Sequence, residues 1–259
     1  MFVPKVLPIA LTASVLALAA LPAQAQDRAF SFGLTGGAAL GPTYFGSNRS
    51  EVTPMARFSF SGLQFGGVSL GDADRTALDG PAQFAPGFGL RGAFRYIPKR
   101  DGLTGLDDVK ASVELGGGVH YTDQNWQVFA DLRYGVIGHR GLSGEVGANL
   151  IYRGDGGLVL HAGPRAEFGN SRFAQTYFGV SQAESGPSGL AAYTAGSGFH
   201  SMGFEVGAYQ ALSPDWGVTG NLRFDRLRGD AAASPIVQQG RRDQITAEIG
   251  LTRHFNLRF

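Results

Sequence analysis

Two sets of ionisable side chains sit where they could act on one another. They are Arg57, Arg91, Arg95, Lys110, Arg133, Arg165 and Arg223 on one side, and Glu114, Asp131, Glu145, Glu167, Glu205, Asp225 and Glu248 on the other. Each lies in a stretch where apolar and polar residues alternate, so each belongs to the polar parity of a short extended segment. Equal numbers of opposite charge in a narrow space can cross-link its walls, because a buried charge has to be matched. Alternatively they line a small aqueous passage with little ion preference, since selectivity needs an unbalanced ring.

Catalytic chemistry is thinly represented. His120, His139, His161, His200 and His254 show no metal-ligand spacing, and each reads as a hydrogen-bonding partner of its neighbours. No local motif supplies a serine nucleophile with a base and an orienting group. The absence of cysteine excludes thiolate chemistry and disulfides. The expectation is a non-enzymatic chain without a cofactor.

The amino-terminal residues carry a different signal. Lys5 precedes an uncharged apolar stretch from Val6 to Leu21, and Ala23-Gln24-Ala25 has the small-x-small form of a signal-peptidase site. Residues 1–25 are expected to be a cleaved leader and residues 26–259 the functional domain. Without Lys5, the 22 Lys and Arg become 21, equal to the 21 Asp and Glu. That balance argues against nucleic acid as a partner.

The elements that must position the charges are strands. In the last segment Ile245, Ala247, Ile249, Leu251, Phe255, Leu257 and Phe259 share one parity, and Gln244, Thr246, Glu248, Thr252, His254 and Asn256 share the other. Trp126, Val128, Ala130, Leu132 and Tyr134 alternate with Gln127, Phe129, Asp131 and Arg133 in the same way. Segments of about ten residues with aromatic ends and an outward apolar face describe membrane-crossing strands. Many of the 40 glycines fall inside these segments, where backbones approach closely.

The expected fold is therefore all-β, an antiparallel transmembrane β-barrel of about twelve strands, with ten as the alternative. The segments are 30–40, 52–61, 63–71, 87–96, 108–121, 126–137, 142–152, 158–168, 175–182, 200–210, 216–227 and 243–259. With both termini on the periplasmic side, connections 41–51, 72–86, 122–125, 153–157, 183–199 and 228–242 would face outward. Those at 62, 97–107, 138–141, 169–174 and 211–215 would face the periplasm. Arg253 falls on the apolar parity, where an arginine has to snorkel to an interface or sit at a bulge.

Three segments have more specific wording. The first is Pro42-Thr43-Tyr44-Phe45-Gly46-Ser47. The second is Tyr177-Phe178-Gly179-Val180-Ser181 with Ser188-Gly189-Leu190-Ala191-Ala192-Tyr193. The third runs from Arg226 through Asp230 to Ser234-Pro235-Ile236. In this order, with the leader and the terminal Phe259, the chain resembles the MipA/OmpV family of outer-membrane proteins. The resemblance implies a barrel in the outer membrane of a Gram-negative bacterium, in contact with lipid. It also implies a scaffold role: the founding member binds a membrane-bound lytic transglycosylase and joins it to a murein synthase. Other members are porin-like channels or surface adhesins. The strand parity puts the motif segments outward, whereas a murein-processing partner would meet the periplasmic face. Motif loops that fold inward as a plug would relieve that tension.

Overall fold

The computed structural model describes residues 28–259. The expected leader lies outside the described residues. Residues 29–258 form one antiparallel sheet that curls into an almost closed barrel. Its strands are β1 (Ala29–Pro42), β2 (Ser50–Phe65), β3 (Val68–Gly71), β4 (Gly87–Ile97), β5 (Ser112–Thr122), β6 (Trp126–Ile137), β7 (Leu142–Arg153), β8 (Leu158–Gly169), β9 (Gly198–Ala211), β10 (Trp216–Leu227) and β11 (Asp243–Arg258). The order around the wall is β3-β2-β1-β11-β10-β9-β8-β7-β6-β5-β4. β1 lies against β11 with Ala29 opposite Arg258, so both ends of the described residues lie at one mouth, the terminal end. Four helices gather at the opposite mouth, the far end: α1 (Ser171–Phe178), α2 (Gln182–Ser188), α3 (Gly229–Ala233) and α4 (Pro235–Gln238).

The wall is apolar outside and polar inside. On β6, Trp126, Val128, Leu132 and Tyr134 are exposed, while Gln127, Phe129, Asp131 and Arg133 are buried. On β11, Ile249 is 63% exposed, and Gln244, Thr252 and His254 are buried. A water-soluble barrel would reverse this arrangement. An apolar exterior around a charged interior is what hydrocarbon selects, with the wall N–H and C=O groups satisfied by neighbouring strands except along the line between β2 and β4. Among the described residues no helix is long and apolar enough to cross a membrane.

Eleven strands replace the expected twelve, and β3 has only four residues. The expected segment 63–71 does not cross. Gly66 and Gly67 adopt φ of 57° and 84° and turn the chain back after Phe65. Positive φ at both central residues suits a two-residue hairpin, which places the turn here and not at Gly62. The expected strand 175–182 is the helix α1 and its exit. Asn170 caps it by accepting from the Phe173 N–H at 3.0 Å.

Losing these two crossings reverses the sides between them. Connections 72–86, 122–125 and 153–157 lie at the terminal end, whereas 97–107, 138–141 and 169–174 lie at the far end. Lys110 precedes β5 in an exposed connection, so it is not a lumen residue. Arg253 lies on the outer face near the terminal end, its guanidinium 5.3 Å from the Trp216 ring centroid and 5.1 Å from that of Phe255. An aromatic surround of this kind lets a cation sit at an interface.

Candidate functional site

Inside the wall the lumen charges form pairs. Arg91 on β4 grips Asp131 on β6 through two bonds of 2.9 and 3.1 Å. Arg57 on β2 reaches Glu248 on β11 at 2.8 Å, and Arg95 on β4 reaches Glu167 on β8 at 3.2 Å. Arg133 meets Glu114 at 3.1 Å. The same carboxylate accepts from the Ser143 hydroxyl at 2.7 Å and lies 3.0 Å from the His139 ring.

Two arginines tie several strands at once. Arg165 on β8 lies 2.8 Å from Glu205 and 3.7 Å from Glu145. Arg223 on β10 contacts Glu145 and Asp225 at 2.6 Å each, and Glu167 at 3.2 Å. His161 and His200 add bonds of 3.3 and 3.2 Å to Glu205 and Glu167. Phe129 projects inward from β6 with the Arg91 guanidinium 4.1 Å and the Arg165 guanidinium 5.1 Å from its ring centroid. Its place on the polar parity of β6 is visible in sequence. The pairing of a lumen phenylalanine with two arginines is not.

The motif segments meet at the far end. Phe45 turns into the barrel mouth and packs on Tyr177, Phe178 and Phe173 at 5.1, 5.5 and 6.0 Å between centroids. Phe173 and Phe178 are fully buried, joined by Ile97, Leu227 and Val237. Gly46 has φ of 93°, and a Cβ there would lie 2.7 Å from a Val237 methyl, so only glycine lets this loop lie on α4. Tyr44 lines the lumen beside it, and Ser47 is buried, its hydroxyl 2.7 Å from that of Thr43.

Polar bonds fix the remaining motif residues. The Tyr177 hydroxyl donates to Ser112 at 2.8 Å, and burial pushes its pKa up to about 12. Gly179 ends α1 with its N–H on the Gln175 carbonyl, and Gly189 ends α2 in the left-handed region. The Ser188 hydroxyl donates to the Glu184 carbonyl at 2.6 Å. Tyr193 donates to the Asp230 carbonyl at 2.9 Å, while the Asp230 carboxylate accepts from the Gly196 N–H at 2.7 Å. Ser234 donates to the Phe178 carbonyl at 2.7 Å, and Pro235 opens α4 just after it. The motif residues build a stopper, with Phe45 plugged into its underside.

A second stopper closes the terminal end. The connection between β3 and β4 folds inward, burying Ala77 and Phe84 against Ile151, Val159, Tyr209 and Ala211. The Tyr209 hydroxyl donates to the Ala77 carbonyl at 3.1 Å, and Arg153 donates to the Phe84 carbonyl at 2.7 Å. Gln127 bonds the Gln83 carbonyl. The sequence signal for this element is Ala77 and Phe84 on either side of Pro81, in a connection whose first half carries Asp72, Asp74 and Asp79. Between the stoppers a cavity of about 330 Å³ remains, lined by the charge pairs. Among the described residues no group of His, Asp and Glu could hold a metal ion.

An apolar-outside, charge-filled antiparallel barrel with both mouths occupied by its own chain is a membrane β-barrel of the plugged class. A family model described as MltA-interacting protein MipA matches residues 34–255, and the chain belongs to that family. It is 32% identical over 85 residues to the MltA-interacting proteins of Escherichia coli K12 and Shigella flexneri. Those matches cover 33% of this chain and 34% of the relatives, so the chain spans about a third of the length of the curated relatives it matches. Among solved structures, the outer membrane protein OprG of Pseudomonas aeruginosa is 11% identical, with 88% of this chain and 97% of that one covered, at a TM-score of 0.29. OmpF of Salmonella typhi, solved with daunomycin, is 13% identical over 89% and 98% of the two chains, at 0.34.

Proposed function

We propose that this protein is a non-enzymatic scaffold of the Gram-negative outer membrane that binds a lytic transglycosylase on its periplasmic side. The observation behind this reading is that both mouths are stoppered by the chain's own segments and every lumen arginine is paired with a carboxylate. A solute passage needs an open axis, and a selective one needs an unbalanced ring. With the terminal end taken as periplasmic, the usual orientation of such barrels, the motif segments become the outer stopper and leave the periplasmic turns free for a partner. Those turns present Asp123, Asp155 and Asp215 to solvent. The names of the relatives point to a lytic transglycosylase as partner. They do not mention a murein synthase.

The test uses the full-length barrel in phospholipid bilayers and a purified lytic transglycosylase of the MltA type. The reading expects retention of the enzyme on immobilised barrel, and weakened retention when Asp123, Asp155 and Asp215 are together replaced by Asn. It also expects a silent planar bilayer. Reproducible conductance steps with no enzyme retained would replace the scaffold by the porin-like alternative.

A further inference from the structure

The wall is laddered everywhere except along one line. β2 spends one edge on β1, and on its other edge pairs with β3 only at Gly62–Phe65. β4 pairs with β5 and, among the described residues, with nothing on its other edge. The chain from 50 to 61 and the chain from 87 to 97 therefore run side by side as strand edges with no ladder between them. Open edges are disfavoured in hydrocarbon, so this line is the least secure part of the wall.

Across it the lumen reaches the outer face. The cavity is bounded by Phe58, Gly92 and Phe94, which belong to the exposed parity of β2 and β4, as well as by lumen arginines. The Phe58 ring lies across Gly92, where a Cβ would meet the ring at 2.9 Å. A side chain therefore fills the wall where backbone bonds do not. With both mouths stoppered, the side is the remaining approach among the described residues.

The lining indicates what would enter. A volume of about 330 Å³ falls in the roughly 300–1,000 Å³ range of small-ligand sites. Its side near the line is apolar, and its depth holds six arginines interleaved with carboxylates, so the charge of the lining does not by itself select a guest. Of the buried polar atoms there without partners, two are guanidinium donors, Arg95 Nη1 and Arg133 Nη2, and the third is His161 Nδ1, while no carboxylate oxygen lining the cavity is buried and unpartnered. Unmatched buried donors favour an acceptor-rich guest.

We propose that the β2–β4 line is a side door through which a single-chain amphiphile with an anionic head enters the lumen from the bilayer. The head lies against Arg95 and the chain lies along Phe58. Fatty acids and lysophospholipids share this chemistry. The door is independent of the partner surface at the periplasmic turns, so either idea can fail alone.

The experiment places the full-length barrel in phosphatidylcholine bilayers doped separately with palmitate, palmitoyl-lysophosphatidylglycerol or hexadecyltrimethylammonium, and reads bound lipid by native mass spectrometry. One anion per barrel is expected from at least one of the first two arms, and which arm yields it identifies the source. The cationic arm is expected to give none. Arg95→Gln is expected to lower retention at least tenfold, and Ala39→Trp, which fills the cavity from β1, to abolish it. Folding is checked by heat-modifiable gel mobility, and Ala39→Trp carries the test if Arg95→Gln does not fold. Phe58→Ala is expected to speed uptake from the bilayer several-fold. The proposal is overturned by no retained anion, by equal retention of the cation, or by an uptake rate indifferent to Phe58.

Discussion

Arg223 on β10 reaches across two intervening strands to Glu145 on β7, at 2.6 Å. It holds Glu167 and Asp225 with the same guanidinium. The guanidinium is mostly buried, so removing it leaves Asp225 without a cationic partner and leaves Glu167 and Glu145 to Arg95 and Arg165. Breaking a buried pair from one side costs about 3–5 kcal/mol. Arg223→Gln is therefore expected to lower the unfolding midpoint of the barrel in urea substantially. Arg242→Gln, in an exposed far-end connection, is expected to leave it within experimental scatter. Equal midpoints for the two variants would remove the cross-link as a source of stability.

The far-end stopper depends on Phe173, which is fully buried among Phe45, Tyr177 and Phe178. Phe173→Ala leaves a cavity there, at a cost of about 3–5 kcal/mol. The wall does not need this residue, so the expected result is a folded barrel whose segment from 171 to 197 becomes susceptible to protease. A segment that stays resistant would mean the stopper is held by its polar bonds alone.

Glu184 links α2 to the connection before β5, accepting from the Asp107 N–H at 2.9 Å and the Ser181 N–H at 2.8 Å. Burial raises its pKa, but the Ser181 and Asp107 hydrogen bonds and the Arg100 charge outweigh this and hold it below the ordinary carboxylate range. A depressed carboxyl pKa stabilises the folded form above the unfolded value, and that contribution is lost as pH falls through the folded value. The protection factor of the Asp107 amide, its exchange rate corrected for the intrinsic pH dependence, is expected to be high and constant at neutral pH and to fall in acid, below the usual glutamate range. Glu184→Gln is expected to flatten that acid dependence. A profile identical in the two proteins would separate the link from this carboxyl.

Ile249, near the middle of β11, faces outward. An arginine on a lipid face costs about 2–4 kcal/mol near the midplane. Ile249→Arg should destabilise the barrel by that amount in phospholipid vesicles and much less in a zwitterionic detergent. Insensitivity to the bilayer would mean this face does not meet hydrocarbon.

The alternation of β6 and β11 is legible because both have one face in hydrocarbon and one in a charged lumen, which leaves a strict period of two. The same rule misreads Tyr177 to Ser181. Helical spacing there joins Phe173 and Ala174 to Tyr177 and Phe178, four residues on, and Asn170 supplies the start signal. At Gly66-Gly67 the turn chemistry is plain in the residues, but an apolar run on both sides of Gly62 suggests an earlier break. These two local errors share a consequence, since each adds a crossing and together they invert the sides of every connection between them.

The charges divide similarly. That Arg133 and Glu114 face inward follows from parity, and their contact follows from neighbouring strands. That Arg223 serves carboxylates from β7, β8 and its own strand depends on barrel radius and shear, which no short stretch of residues encodes. The inward fold of the connection from 72 to 86 is equally non-local, because its partners come from β6, β7, β8 and β9.

The pairing of β1 with β11 gives the last strand an unusual share of the architecture. Because no ladder joins β2 to β4, β1, β2 and β3 share backbone hydrogen bonds with the rest of the wall through β11 alone. Deleting the chain from Asp243 onward would thus remove one strand and unlace three more, setting a three-stranded raft adrift from a seven-stranded gutter.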